Sequence, residues 1–283
     1  MGTLRIELGE GPLREEHDRL VETALRRGGR PPERQPGETL RGKYPEGLLL
    51  AAQSVWRARM IHEHRSAAVF SNLLPQLMEA EANHEVKMCV LRMAMDELRH
   101  AHLCAQIVEA LGGEAVAVAE LRVPPLPAHR GCSAQEVALR NVLFASCLSE
   151  TISMALLTEE RELTKEPLIR RVVTQLVGDE TLHAKLGWIY LDQALPALDE
   201  AQRSRLDAYL PLAFGHIEAR MHESMPLRGE PSAAQRQAME SLGLLDSGAA
   251  RELLEETFAR IILPQLEDRG LDARAAWEAR RLE

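Results

Sequence analysis

Twice in this chain an apolar helical stripe is broken by the same Asp-Glu-x-x-His pattern: Asp96-Glu97-Leu98-Arg99-His100 and Asp179-Glu180-Thr181-Leu182-His183. Residues three apart on a helix project from one face, so the Glu and His of each string can reach one point. Two further stripes are interrupted by a single acid, Glu63 and Glu150. The stripes themselves recur with helical spacing: Leu49, Ala52, Trp56, Met60, Ala67, Phe70, Leu74, Leu77; then Val86, Cys89 or Val90, Met93, Cys104, Ile107, Leu111. The third runs through Leu139, Leu143, Cys147, Met154, Leu157 and the fourth through Ile169, Val173, Leu176, Gly187, Tyr190. That period fits amphipathic helices and no strands. With only 4% aromatic residues, and Leu, Ala, Arg and Glu abundant, the chain reads as all-α.

The spacing of the acids matches the spacing of the turns. Glu63 and Glu97 centre on position 80, inside a short connection near Glu79–Asn83, and Glu150 and Glu180 centre on position 165, just before Pro167. Residues equidistant from a hairpin turn face each other, so each antiparallel pair brings its acids to one height. Gly112-Gly113 stops the second helix, and residues 114–134, with Val123-Pro124-Pro125-Leu126-Pro127, form a long non-helical crossover. Ser133 with Glu136 is a capping box for the third helix, and Pro167 suits the first turn of the fourth. Residues 1–45 hold a short helix near 13–27 and a Gly/Pro-rich arm or cap. The rest, 46–283, is one helical domain: a core bundle over 48–195 and additional helices near 200–224, 233–243 and 248–266.

Four carboxylates in a dry core are costly unless protonated or paired with cations. Two divalent metals, four Glu and two His make a near-neutral cluster, so Glu63, Glu97, His100, Glu150, Glu180 and His183 are the expected ligands. Of the three Glu-x-x-His spacings, Glu81–His84 falls in a turn with no counterpart and is set aside. The Asp preceding each ligand Glu has a separate use. A metal-bound His donates its other ring N–H to a carboxylate, and we expect Asp96 and Asp179 each to serve the His of the opposite hairpin.

At these residues the chain resembles the ferritin-like di-iron carboxylate proteins, whose ligands follow the order Glu or Asp, ExxH, Glu, ExxH on four successive helices. The resemblance covers roughly 48–195 and implies a four-helix bundle with two iron ions, or a manganese–iron pair, and O2 as co-substrate. It makes Glu97 and Glu180, or Glu150, the bridging carboxylates. Cys104 stands where radical-generating ribonucleotide reductase subunits carry a Tyr, which excludes a tyrosyl radical there. The DELRH string followed by Cys104 is similar to the hydroxylases of multicomponent monooxygenases, which are much longer. Leu176 stands where arylamine N-oxygenases have an extra His. No CxxC iron module of the rubrerythrin kind is present, and the chain exceeds a ferritin storage subunit.

The resemblance therefore implies an O2-activating oxidoreductase acting on a small or carrier-bound organic substrate by hydroxylation, N-oxygenation, desaturation or a related oxidation. An external ferredoxin or reductase would supply electrons, and a homodimer through helix faces is a family-level expectation. The alternative is iron handling or peroxide scavenging without an organic substrate. Cys104, Met154 and Gly187, with Phe70 and Trp56, either line an apolar pocket beside the metals or pack the core. Trp188 and Tyr190 either relay electrons or are structural, and His216 and His222 are expected at the surface or in packing. A net charge of −9 without a Lys/Arg block disfavours nucleic acid. Cys89, Cys104, Cys132 and Cys147 form no CxxC, and neither a signal peptide nor a membrane-length apolar run is evident, so we expect a reduced cytoplasmic protein away from membranes.

Overall fold

A computed structural model describes residues 2–5, 38–225 and 231–280, and these are mostly helical. α1 (Glu46–Glu79) and α2 (His84–Ala110) form a long antiparallel pair. Their link is four residues long because Glu81 takes a positive φ of 54°, which folds the chain back within one turn. α2 ends at Gly112, whose φ of 89° is the left-handed conformation a helix stop of this kind uses.

The third helical run has three parts: α3 (Ala134–Val142), a π-helical stretch (Leu143–Glu150) and α4 (Thr151–Leu163). It starts at the expected capping box: the Ser133 hydroxyl accepts from the Glu136 N–H, and the Glu136 carboxylate accepts from the Ser133 N–H. α5 (Pro167–Ala194) has Pro167 in its first turn and packs on both the π-helical stretch and α4. α2 lies against α5, and α1 against α3. After a 3-10 turn come α6 (Glu200–Ser224), α7 (Ala233–Ser241), α8 (Ser247–Thr257), a second π stretch (Phe258–Ile262), α9 (Leu263–Glu267) and α10 (Ala273–Ala279).

Three features depart from the sequence reading. The crossover is non-helical over most of its length as expected, but it also contains an unforeseen strand, β2 (Val116–Ala119), which pairs antiparallel with β1 (Gly2–Arg5). Both π stretches and α10 were not foreseen. The helix expected near 13–27 lies outside the described residues. What is described of the arm is tied down: Leu40 is fully buried and its N–H donates to Ala110 O at 2.8 Å. Trp277 of α10 stacks on Phe258, which explains why so short a helix holds its place.

The continuous run Ala134–Leu163 is long and apolar enough, by length and composition alone, to cross a membrane, and 61% of its most apolar window is buried inside the protein. Its apolar side chains are those of core helices: Leu139, Leu143, Cys147 and Leu148 are buried among neighbouring elements.

The buried apolar side chains fall into two clusters. One gathers Phe70, Leu73 and Leu77 of α1, Val90 and Met93 of α2, the π stretch, and Leu186 and Tyr190 of α5. The other gathers Trp56 and Met60 of α1, Leu103, Cys104 and Ile107 of α2, Leu157 of α4, and Val173 and Leu176 of α5. On each helix the break between clusters falls at or beside the six expected ligand residues.

Candidate metal centre

All six expected ligands are buried: Glu63, Glu97, His100, Glu150, Glu180 and His183 are each 8% exposed or less. They form two overlapping groups, Glu63–Glu97–His100–Glu180 and Glu97–Glu150–Glu180–His183. In each group the potential ligand atoms lie within 4.8 Å of one another. Glu97 and Glu180 belong to both. The sequence left Glu97, Glu180 and Glu150 open as shared carboxylates; the geometry places Glu150 in one group only.

Helix spacing and two local devices build this arrangement. The i,i+3 spacing puts each Glu beside its His, and the hairpin turns set the heights. Glu150 ends the π stretch, whose wider turn is marked by the Ser149 hydroxyl donating to Phe144 O, five residues back. That stretch is clasped to α5. The Ser146 hydroxyl donates to His183 O at 3.1 Å, and a Cβ on Gly187 would fall 2.6 Å from Ser146 Cβ and 2.9 Å from Cys147 Sγ. Gly187 therefore permits backbone contact and does not line a pocket.

Both imidazoles turn Nδ1 toward the carboxylates. His100 Nδ1 lies 3.4 Å from Glu180 and 3.8 Å from Glu63, and His183 Nδ1 lies 2.9 Å from Glu180 and 3.1 Å from Glu97. The far nitrogens face aspartates across the hairpins: His100 Nε2 is 3.2 Å from Asp179 Oδ2, and His183 Nε2 is 3.6 Å from Asp96 Oδ2.

Two independent observations test whether these residues fit metal. The first is orphaned atoms: Nδ1 of both histidines, Glu97 Oε1 and Glu180 Oε2 are buried with no well-formed hydrogen bond. Each such atom costs about 1–3 kcal/mol unless something supplies a partner. The second is charge. Burial, reinforced by the Glu180 charge, pushes Glu97 and Glu150 well above the usual carboxylate range. Burial opposes the charged form of both histidines, yet their carboxylate partners, Asp179 foremost for His100 and Glu180 for His183, raise them well above the ordinary imidazole value. Glu63 and Glu180 are lowered despite burial, by His100 and His183 respectively. Without a cation the cluster reaches neutrality only by retaining protons. Two divalent cations would supply the same positive charge to four carboxylates and two neutral imidazoles. Buried carboxylate oxygens and imidazoles are donors that could hold divalent metal ions. The residues fit.

Comparison with protein-family models, with curated proteins and with solved structures finds no match to this chain.

Several residues around the centre were not anticipated. Arg99 is buried, and its Nη2 donates to Asp96 Oδ1 and to Asp179 Oδ2, both at 2.7 Å. Arg92 donates to both oxygens of Asp96 at 2.8 Å, and Gln175 donates to Asp179 at 3.0 Å. The available signal was spacing: Arg99 lies three residues after Asp96, and Arg92 and Gln175 each lie four before an Asp. Arg59, one turn before Glu63, donates to Glu160 at 2.6 Å and stacks over Trp56.

Trp56, Phe70 and Met154, expected either to line an apolar pocket or to pack the core, each make a specific contact. The Trp56 indole donates to Leu242 O, Phe70 packs 5.7 Å from the His183 ring, and Met154 lies 3.9 Å from the Thr181 hydroxyl. Cys104 is fully buried beside Glu63, Arg59 and His100, and burial pushes its thiol far up, so it stays a neutral wall of the site. Trp188 donates to Thr151 and lies under Arg269; burial raises Tyr190 to about 12. His216 is exposed against Phe144, and the His222 carbonyl accepts from Arg251. All four cysteines are free.

Proposed function

We propose that this chain is a ferritin-like di-iron protein that activates O2 and oxidises a small organic substrate. The observation that carries the reading is the pair of four-residue groups sharing Glu97 and Glu180, each closed by a His whose far nitrogen faces an Asp. Glu63 and His100 complete one metal position, Glu150 and His183 the other. When bound, two iron ions supply redox chemistry and O2 activation that no side chain here offers.

The remaining work falls to the chain. Asp179 accepts the Nε2 proton of His100, which fixes the tautomer and leaves Nδ1 free for metal; Asp96 faces Nε2 of His183 from 3.6 Å, beyond hydrogen-bond range. The two apolar clusters exclude water from either end of the polar layer. Reducing equivalents come from a separate donor protein, because the side chains described offer no redox group of their own.

Anaerobic Fe(II) loading followed by metal analysis tests the reading. About two irons per chain are expected, with O2 uptake that rises when the right substrate is added. A folded protein that takes up no metal overturns it.

A further inference from the structure

The centre has near-twofold symmetry in its ligands but not in what surrounds them. Asp96-Glu97-x-x-His100 and Asp179-Glu180-x-x-His183 are equivalent strings. Four residues before each Asp stands a hydrogen-bond donor to it: Arg92 for Asp96 and Gln175 for Asp179. Three residues after each Asp the symmetry fails, with Arg99 in one string and Leu182 in the other. The single guanidinium at that level reaches across and donates to both aspartates at 2.7 Å.

The electrostatic result is uneven. Asp96 is held by two guanidiniums, Arg92 on both oxygens and Arg99 on one. Asp179 shares Arg99 and otherwise meets the neutral amide of Gln175. A carboxylate already neutralised by two cations is a poorer acceptor for an imidazole N–H. The distances follow that order: His100 lies 3.2 Å from Asp179, within hydrogen-bond range, whereas His183 lies 3.6 Å from Asp96, outside it. A stronger acceptor makes the opposite nitrogen a stronger metal ligand.

We infer that Arg92, Arg99 and Gln175 act as positioning residues that make the two metal positions unequal. The Glu63–His100 position fills first and more tightly, and the Glu150–His183 position second. This rests on the two-metal reading and deepens it: the order of filling is set from outside the ligand set, by which aspartate carries the extra Arg. Arg99 donates to both aspartates, so its replacement moves both steps in the same direction.

The test is a titration of metal-free protein with Co(II) chloride alone, followed by calorimetry and by the visible absorption of bound cobalt. Wild type is expected to give two resolved steps. His100→Ala removes the tighter step and His183→Ala leaves it. Gln175→Arg weakens the first step by about tenfold, Arg92→Gln tightens the second, and the double exchange reverses the order in which the two positions fill. Arg99→Lys, which keeps the charge but lacks the planar fork, moves both steps in the same direction. Circular dichroism and urea unfolding of each metal-free variant separate these effects from loss of fold. Two ions bound in indistinguishable steps, or loss of the tighter step in His183→Ala, overturn this inference and leave the two-metal reading intact. No uptake by folded wild type overturns both.

Discussion

Buried acids occur in two settings in this molecule, and their surroundings differ. In the C-terminal layer Glu218, 2% exposed, receives Arg280 on both oxygens, Nε at 3.0 Å and Nη2 at 2.9 Å. Arg280 in turn lies over the Trp277 ring. In the middle of the long helices Glu97, 1% exposed, and Glu180, also 1% exposed, meet other carboxylates and imidazoles, with orphaned oxygens and nitrogens between them. Glu160 and Glu136, also buried, likewise each meet an arginine, Arg59 and Arg205. Where the fold leaves four together without one, the side chains are grouped as they would be to hold metal ions. Arg99 and Arg92 stand nearby, yet both are spent on aspartates behind the histidines.

The sharpest way to break this contrast is to remove the shared acids. Glu97→Ala with Glu180→Ala is expected to cut iron uptake after anaerobic loading from about two per chain to near none, read by metal analysis. The same pair in the metal-free protein relieves like-charge crowding, so its urea midpoint should not fall. A large drop there would mean that these acids stabilise the fold by themselves and would erase the distinction.

Arg280→Ala probes the other setting. It leaves Glu218 buried and uncompensated, and a loss of about 3 kcal/mol in urea unfolding is expected, with metal uptake per folded chain unchanged. Metal dependence of that loss would join two regions held here to be independent.

A third change tests the clasp that sets the height of Glu150. Gly187→Ala forces a Cβ into Ser146 and Cys147, which should cost about 1–3 kcal/mol and weaken metal binding at the Glu150–His183 position more than at its neighbour. Equal weakening of both positions in a Co(II) titration would count against a local effect.

The smallest effect concerns Glu136, an acid that again has its own arginine. The Arg205 guanidinium holds its carboxyl down at about 2, below its ordinary value near 4.5. With the folded value below the unfolded one, the stabilisation is fully present above about pH 4.5 and disappears as pH falls toward about 2. Glu136→Gln should therefore cost about 1 kcal/mol near neutral pH and nothing at pH 2, measured by thermal unfolding across that range.

The clustering of the six candidate ligands and the helix order were legible because both rest on periodicity. Glu63, Glu97, His100, Glu150, Glu180 and His183 stand out as polar breaks in apolar stripes, and the turn positions fix which of them face each other. Asp96 and Asp179 could be anticipated from the chemistry of a bound imidazole. Arg99 could not, because its partner Asp179 lies 80 residues away and an arginine beside an acid on a helix is ordinary. The β1–β2 ribbon escaped for a similar reason: four-residue strands carry almost no pattern, and only their pairing across more than a hundred residues gives them identity. Gly187 was read by its place in a stripe, which says nothing about how near the neighbouring backbone comes.

The π stretch before Glu150 has a consequence for rotational phase along the third helical run. Each residue of an α-helix advances the side-chain direction by about 100°, so a run that must aim one acid at a fixed centre and another at a fixed arginine has little freedom. Here Glu150 has to reach Glu97 and Glu180, while Glu160, further along the same run, has to meet Arg59. A wider turn placed just ahead of Glu150 acts as an angular spacer, fitting Ala134–Val142 to its own neighbours without dragging the downstream half out of alignment. Deleting one residue from Leu143–Ser149 would tighten that turn and rotate the two ends of the run by about 100° relative to each other. Glu150 or the capped start of α3 would then keep its partners, but not both.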